Sequence, residues 1–329
     1  PPPPPPPPLH THPPTTANYT LGRSSAASDV YKRQSLAGRE VPVRLTTFLE
    51  GTTADEIGPG PELRKHTMEV LARLDRALLN FAHPGLGRPL LWNLDRVLEL
   101  RAHSTFLSDE KRSVADSWLR HFEASVKPRL SGLRRQPLHG DFNPANLIVN
   151  PADPERVAGV IDFGDMTAGP RVIDVAVAAA YQCLNEEHPA RILAESTAAF
   201  HAITPLAADE TGIVADLAIT RLVQSLLISG WRSELHPENR EYILIHAAPV
   251  WKTLWQLVNA DLYQLREQIT STCSETLPAG PDLDVSLRRR RTRLGPGLRL
   301  TYDRPLHVAS ADGVWITDTA GTPHLDAYN

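Results

Sequence analysis

The sequence predicts an α+β fold that is mostly helical and holds one β-hairpin near the middle of the chain. Two short apolar runs, residues 147–149 and 157–161, flank a turn rich in proline and aspartate, which is the pattern of a hairpin. After Gly169 and Pro170, apolar residues at helical spacing continue to about Ile269. Together these signals describe a helical body built around a hairpin.

Upstream of the hairpin, the pattern predicts one strand and two helices. Residues 41–49 alternate apolar and polar side chains, as a strand does, and a Glu-Gly pair follows them. Apolar residues recur at helical spacing over 70–81, and Pro84 lies just beyond that helix. A second amphipathic helix covers 114–126 and is expected to end at Pro128.

Composition excludes several classes of protein. The 329 residues are 41% hydrophobic and 22% charged, as expected for a globular protein with a substantial core. A net charge of -4 gives no general attraction to nucleic acid. Two cysteines, Cys183 and Cys273, are too few for a disulfide framework and favour a reducing compartment. With no apolar run near ~20 residues and no secretory signal, we expect a cytoplasmic protein without nucleic-acid or membrane partners.

Polar side chains lie at both outer ends of the predicted hairpin. Asp141 and Asn146 precede its first strand, and Asp162 follows its second. Because a hairpin returns its end to its start, Asp162 is expected to face the 141–146 loop. Carboxylate and amide oxygens are hard ligands that hold magnesium beside substrate phosphates. An aspartate left without metal could receive the proton of an attacking hydroxyl, which is the division of roles in phosphoryl transfer.

Two motifs occur in the order that one known superfamily uses. His139-Gly140-Asp141, four residues and Asn146 precede Ile161-Asp162-Phe163-Gly164-Asp165. This arrangement resembles the aminoglycoside phosphotransferase and choline kinase superfamily, over about residues 41–269. Residues 90–94 and 161–169 are most similar to its hydroxylysine kinase branch. The resemblance implies a protein-kinase-like fold, represented here mainly by the helical large lobe with its catalytic β-hairpin.

The resemblance also implies roles for particular residues. Asp141 corresponds to the catalytic base, while Asn146 and Asp162 correspond to the ligands of Mg²⁺ bound with ATP or GTP. The inter-lobe hinge, whose backbone meets the purine ring, corresponds to Thr47, Phe48 and Leu49. Without the resemblance, Asn146 could be a turn residue and Asp162 could simply end a strand.

Three neighbouring residues have more than one interpretation. His139 is expected to be a packed structural residue, because Asp141 already fills the role of base. Asp174 precedes an apolar helical run, which favours helix capping, whereas the resemblance implies that it steadies the catalytic loop. Asp165 fits a structural hydrogen bond as well as a substrate contact.

A kinase of this kind also needs a glycine-rich turn over the phosphates and a strand lysine upstream of the hinge. No lysine lies in an apolar strand ahead of Val41, and the clusters at Gly58 and Gly295 follow the hinge. The small lobe is therefore expected to be missing. We expect this chain to bind nucleotide poorly and to turn over slowly or not at all.

The two ends of the chain differ from its middle. Ten of the 30 prolines fall in the first fourteen residues, so 1–34 is predicted to be a disordered arm that resembles adapter read-through. Residues 35–50 would form the last small-lobe strand and the hinge, and 51–277 the large lobe. A basic linker is predicted over 278–300.

Residues 301–329 resemble the opening of the class III aminotransferases, with a hairpin around residues 311–313. Pyridoxal phosphate would belong only to the missing aminotransferase part, through which the protein could also oligomerise.

These expectations converge on transfer of a phosphoryl group to a small hydroxylated amine, with hydroxylysine as the leading acceptor. Aminoglycoside, choline and homoserine kinases are alternatives of the same class. A non-catalytic domain that binds a metabolite and supports the fused aminotransferase is the alternative of another class.

Overall fold

A computed structural model describes residues 30–36, 39–45, 48–276, 308–312, 315–318 and 323–325. The chain divides at Ser274 into two compact units. In the described part, the first unit holds seven strands: β1 Val30–Leu36, β2 Arg39–Leu45, β3 Thr52–Thr53, β4 Arg135–Leu138, β5 Leu147–Asn150, β6 Asp153–Val160 and β7 Thr167–Pro170. Its helices are α1 Ala54–Ile57, α2 Pro61–Leu78, α3 Asp109–His121, α4 Lys127–Leu130, α5 Val172–Gln182, α6 Pro189–Ile203, α7 Ala208–Thr211, α8 Val214–Leu235, α9 Arg240–Ile243, α10 Ala247–Val258 and α11 Leu262–Glu275.

Shorter helical turns complete the first unit. They are the 3-10 segments Pro84–Gly87, Leu94–Phe106, Pro144–Asn146, Phe163–Asp165 and Pro237–Asn239, and the π-helical turn Phe122–Val126. This helix-rich architecture with small antiparallel sheets agrees with the predicted α+β class.

Two antiparallel ladders hold the middle of the chain. The predicted hairpin is present as β5 and β6, with Leu147 opposite Val160, and β3 pairs with the other edge of β5. β4 and β7 form a second ladder, in which Leu138 lies opposite Thr167. The loops 139–146 and 161–166 therefore connect the same two ladders and are fixed at both ends. This arrangement brings the two loops face to face.

Helices α5 and α8 form the centre of the core. Apolar residues occupy nearly every position of α5, which is the pattern of a helix buried on all sides. Most of α8 is also buried, although its sequence includes Asp216 and Arg221. The core therefore contains charged side chains, and such groups need partners inside the protein.

Three predicted boundaries differ from the structure. Strand β1 begins at Val30, inside the disordered arm predicted for 1–34. Strand β2 ends at Leu45, which lies opposite Val30, whereas the predicted strand continued to residue 49. Helix α2 ends at Leu78, and Phe81 beyond it is 45% exposed, so Phe81 lies outside the buried stripe.

Pro128 does not end the second predicted helix. Proline lacks an amide hydrogen and normally breaks the hydrogen-bond ladder of a helix. Here the backbone first widens into the π-helical turn, and Pro128 then occupies the first turn of α4, where its missing donor is tolerated.

The second unit contains a three-stranded antiparallel sheet within its described residues. Its strands are β8 Val308–Asp312, β9 Trp315–Asp318 and β10 Pro323–Leu325, in the order β10-β9-β8. The hairpin predicted around residues 311–313 is confirmed as β8 and β9, whereas β10 was not predicted. The proposed linker 278–300 lies outside the described residues. Within the described part, no helix has the length and apolar character needed to cross a membrane.

Candidate functional site

The site lies between the loops 139–146 and 161–166. The backbone N–H of Ile161 donates to the carbonyl oxygen of Asn146 at 3.0 Å, directly beyond the last pair of the β5–β6 ladder. Asn146 and Asp162 therefore lie at the same end of the hairpin, as the sequence predicted. Asp141 is connected to them through Asn146, whose amide nitrogen donates to the Asp141 carbonyl oxygen at 2.9 Å.

Two amides hold one carboxylate oxygen of Asp141. The Nδ2 atoms of Asn143 and Asn146 lie 2.9 Å and 3.2 Å from Asp141 Oδ2. Asn143 also caps the Pro144–Asn146 turn by accepting the backbone N–H of Ala145 at 2.9 Å. Because Asn146 donates toward Asp141, its Oδ1 atom faces away and remains the acceptor end of that amide. Asn143 was missed in the sequence analysis because its type is common in turns.

His139 connects the two loops through its ring. The ring is fully buried, and its Nε2 atom lies 3.1 Å from the carbonyl oxygen of Ile161. Its Nδ1 atom accepts the backbone N–H of Asp141 at 3.4 Å. This pattern places the ring proton on Nε2 and engages both nitrogens with backbone. The His139 ring also packs against the Phe163 ring, with 4.9 Å between their centres.

Asp174 does not cap a helix. It lies in the first turn of α5, which begins at Val172, and its carboxylate accepts the backbone N–H groups of His139 at 2.6 Å and Gly140 at 2.8 Å. The capping interpretation is wrong because the helix begins at Val172, three residues before the expected start at Val175. The contact to the 139–146 loop is the one that the family resemblance implied.

Gly140 has a conformation that requires glycine. Its φ angle is +83°, and a Cβ atom built there would lie 2.4 Å from the carbonyl oxygen of Asp165. The two loops therefore approach each other through backbone atoms at this point.

Asp162 is exposed and has a left-handed backbone conformation, with φ 58° and ψ 65°. A non-glycine residue in this region is uncommon and often marks a functional position. Its Oδ1 atom accepts the backbone N–H of Gly164 at 3.1 Å, which caps the Phe163–Asp165 turn. The carboxylate is thus oriented by its own loop.

The pKa of Asp165 is raised by burial and by neighbouring carboxylates. Burial raises it first, and the negative charges of Asp141 and Asp162 raise it further, while Arg221 and Arg88 oppose the rise. Among the described residues, the site therefore gathers three carboxylates beside two arginines, Arg221 and Arg88. Such an excess of negative charge favours cations.

Sequence reasoning missed Arg221, which is the closest cationic partner of Asp141. Its Nη2 atom donates to Asp141 Oδ1 at 2.5 Å, and its guanidinium lies 4.5 Å from the ring centre of Trp92 and 5.4 Å from that of Tyr181. An arginine within the apolar run 217–223 was the available signal, because arginine is almost never fully buried without a partner.

The donor set fits a magnesium ion that also binds substrate phosphates. Asp162 offers a carboxylate and Asn146 an amide oxygen, and Mg²⁺ is commonly held by one or two protein carboxylates, waters and phosphates. Among the described residues, no group of three His, Cys, Asp or Glu side chains could hold a metal ion without such help.

The predicted hinge is only partly described. Thr47 lies outside the described residues, while Phe48 and Leu49 are 45% and 39% exposed and belong to no strand. The side chain of Leu49 lies over Gly159 on β6, where a Cβ atom would be 2.5 Å from Leu49 Cδ1. The segment therefore lies against the strand that leads to Asp162.

Comparison with curated proteins finds hydroxylysine kinases. The mouse enzyme is 32% identical over 226 residues, covering 65% of this chain and 60% of the enzyme. The Bos taurus enzyme is 31% identical over 226 residues with the same coverage, and the Xenopus laevis enzyme is 28% identical over 228 residues, or 65% of this chain and 61% of the enzyme. The chain thus spans less than two thirds of the length of these relatives.

A solved structure supports the fold, and a family model shows the family. The amicoumacin kinase hAmiN, solved in complex with AMP-PNP, Ca²⁺ and Ami, superposes with a TM-score of 0.51 at 14% identity, over 73% of this chain and 75% of that one. This likeness supports the predicted kinase-like fold. Residues 21–210 match the model of the phosphotransferase enzyme family, APH. Since that match covers more than half of the sequence, the chain belongs to the phosphotransferase enzyme family.

Proposed function

We propose that this chain is a small-molecule kinase, which moves the terminal phosphoryl group of ATP or GTP to a hydroxyl of a small amine or amino acid. The observation that carries the proposal is the convergence of Asp141, Asn146 and Asp162 between two facing loops. The identity of 32% to a hydroxylysine kinase supports a hydroxylysine-like acceptor.

Asp141 is the proposed base. Among the described residues, its Oδ2 atom accepts two hydrogen bonds and its Oδ1 atom accepts one, from Arg221. A carboxylate oxygen has two lone pairs, so Oδ1 retains one for the acceptor hydroxyl. The hydroxyl donates to Oδ1, which orients its oxygen toward the terminal phosphorus and would receive its proton. The new P–O bond would form as the bond from that phosphorus to the β,γ-bridging oxygen breaks and ADP or GDP leaves.

Asn146 and Asp162 are the proposed magnesium ligands. A bound Mg²⁺ supplies charge neutralisation on the phosphate oxygens. Asn146 is fixed for this role by its bonds to Asp141, and Asp162 by its bond to Gly164. The backbone of Thr47, Phe48 and Leu49 is the proposed purine contact.

Single-turnover phosphoryl transfer tests the function directly. We expect slow transfer, so the chain is used in excess over γ-labelled ATP or GTP, with a panel of hydroxylysine, choline, homoserine and an aminoglycoside. Asp141→Asn should reduce the rate constant by about 10²- to 10⁴-fold. Asp153→Asn is the matched control, because Asp153 lies exposed at the opposite end of the same hairpin and should leave the rate unchanged.

Magnesium dependence tests the proposed ligands separately. Asp162→Asn should raise the Mg²⁺ concentration needed for half-maximal rate, while Asp153→Asn should not. Equal magnesium dependence in Asp162→Asn and the parent chain would remove Asp162 from the metal site.

Two outcomes would favour other functions. Transfer to choline, homoserine or an aminoglycoside in preference to hydroxylysine would change the acceptor within the same class. No transfer to any acceptor, together with binding of one of them, would favour a non-catalytic metabolite-binding domain.

We also propose that residues 301–329 are the start of a class III aminotransferase, whose pyridoxal phosphate would be bound elsewhere in that enzyme. The sheet β8–β10 supports only a folded segment there.

Both cysteines are buried and unpaired, which supports a reducing compartment such as the cytoplasm.

A further inference from the structure

We propose that Arg221 is a positioning residue that aims Asp141 at the acceptor hydroxyl. The inference rests on the proposed function, because it assigns Arg221 to the same site. The Nη2 atom of Arg221 donates to Asp141 Oδ1 at 2.5 Å, and the arginine side chain is 1% exposed. Arg221 lies on α8, so a helix distant in sequence sets the direction of a carboxylate on the 139–146 loop.

The guanidinium itself is held by groups other than Asp141. Its Nε atom donates to the Tyr181 hydroxyl at 3.3 Å, and its Nη1 atom donates to the Trp92 carbonyl oxygen at 3.2 Å and to Gln224 Oε1 at 3.1 Å. Because these contacts occupy the Nε and Nη1 groups, the planar fork can approach Asp141 in only one orientation. The contacts also leave it little capacity to bind a substrate carboxylate.

The two oxygens of Asp141 are thus fixed from opposite sides. Arg221 holds Oδ1, while the amides of Asn143 and Asn146 hold Oδ2. Rotation of the carboxylate would break bonds on both oxygens, so the open lone pair of Oδ1 keeps one direction. A fixed acceptor direction matters for phosphoryl transfer, because the base mainly orients the nucleophile in a loose transition state.

Stability alone does not account for this buried pair. Removing two charges from water is costly, and well-packed apolar replacements of buried ion pairs are often neutral or stabilising. The aromatic faces of Trp92 and Tyr181 recover part of that cost for Arg221. We therefore explain the position of this buried arginine by its orientation of the Asp141 carboxylate.

Variants of Arg221 separate positioning from binding. We expect Arg221→Lys to lower the single-turnover rate constant by about 10- to 100-fold, because lysine keeps the charge and loses the planar fork. Arg221→Met should lower it further. The acceptor concentration for half-maximal rate should change by less than about threefold, since Arg221 is buried and its Nε and Nη1 groups are bonded within the protein.

Arg266→Lys is the matched control. Arg266 donates to Asp216 at 2.5 Å and 2.9 Å, and Asp216 lies on α8 like Arg221. The control removes the same kind of guanidinium–carboxylate pair outside the site, and it should transfer phosphoryl at the parental rate. Urea unfolding of each variant checks that it folds.

A second variant covers the case in which Arg221→Lys does not fold. Tyr181→Phe combined with Gln224→Met preserves volume and the charge of Arg221 but removes two contacts that aim it. We expect this double variant to slow transfer by about fivefold or more.

The outcomes distinguish the inference from the proposed function. Asp141→Asn at the parental rate, or no transfer by the parent, would overturn the function and this inference with it. An impaired Asp141→Asn beside an Arg221→Lys as fast as Arg266→Lys would overturn the inference alone. If Arg221→Lys does not fold, transfer at the parental rate by the Tyr181→Phe, Gln224→Met double variant would overturn the inference alone.

Discussion

Replacing Asp75 with asparagine should change how the stability of the protein depends on pH. Asp75 lies on α2 with 0% exposure, and neither of its carboxyl oxygens meets a hydrogen-bond donor in the described part of the chain. Burial, followed by the charge of Asp174, raises the pKa of Asp75 well above its ordinary value. A proton retained on Asp75 supplies the missing donor, because it can hydrogen-bond to Asp174.

The size of the effect follows from proton linkage. An unfolded aspartate loses its proton near pH 4, whereas the folded protein keeps the Asp75 proton up to its raised pKa. Between these two pKa values the folded state holds one more proton, so its stability falls by about 1.4 kcal/mol for each pH unit gained. Asparagine does not titrate, and its amide can donate to Asp174. The stability of Asp75→Asn relative to the parent should therefore rise with pH across this window.

Urea unfolding of both proteins from pH 4 to pH 8 measures the difference, and the titration of groups that do not interact with Asp75 cancels in the comparison. Asp216→Asn is the matched control, because Asp216 is equally buried but pairs with Arg266 and His121. The side chains of Arg266 and His121 are about a quarter exposed, so water partly screens their interaction with Asp216. Asp216→Asn should therefore lower the free energy of unfolding by up to about 3 kcal/mol, less than for a fully buried ion pair. The reasoning is refuted if Asp75→Asn follows the pH dependence of the parent, or if it destabilises at neutral pH as Asp216→Asn does.

Three further changes test the site and the core. Gly140→Ala should cost roughly 1–3 kcal/mol in urea unfolding, because its Cβ atom would meet the carbonyl oxygen of Asp165; parental stability would contradict the close approach of the loops. Asp174→Asn should lower stability by about 1–3 kcal/mol and speed hydrogen exchange of the loop amides, since one of the two N–H groups loses its acceptor. Both thiols should resist iodoacetamide until the protein unfolds, because burial raises the pKa of Cys183 and raises that of Cys273 to about 12; rapid alkylation of the native protein would show that the thiols are accessible.

The features that the sequence predicted are those with local signals. The β5–β6 hairpin follows from two apolar runs around a turn, and its ends place Asn146 and Asp162 together without any knowledge of the helices. The motif order around Asp141 depends on short spacings in the same way. Local signals also explain the wrong boundary at Pro128. Proline normally ends a helix, but here a π-helical turn precedes it and Pro128 lies in the first turn of the next helix.

The residues that the sequence did not predict act over long separations. Arg221 reaches Asp141 across 80 positions, and Asp75 meets Asp174 from another helix. Each looks like an ordinary charged residue of an amphipathic helix until packing shows that it is buried. Packing depends on which helices are neighbours, and periodicity along one helix does not contain that information.

The β4–β7 ladder explains why the site could be recognised in sequence but not built from it. Strand β7 contains a Gly-Pro pair, and β4 contains Pro137, so both segments read as turns. Yet these strands pair, with Leu138 opposite Thr167. Their pairing holds the start of the 139–146 loop next to the end of the 161–166 loop. Because each loop is anchored at both ends by strands of the two ladders, the arrangement of Asp141, Asn146 and Asp162 is set within residues 135–170. The proposed base and the proposed metal ligands therefore depend on the two ladders, and Arg221 and Asp174 contact the 139–146 loop from helices α8 and α5.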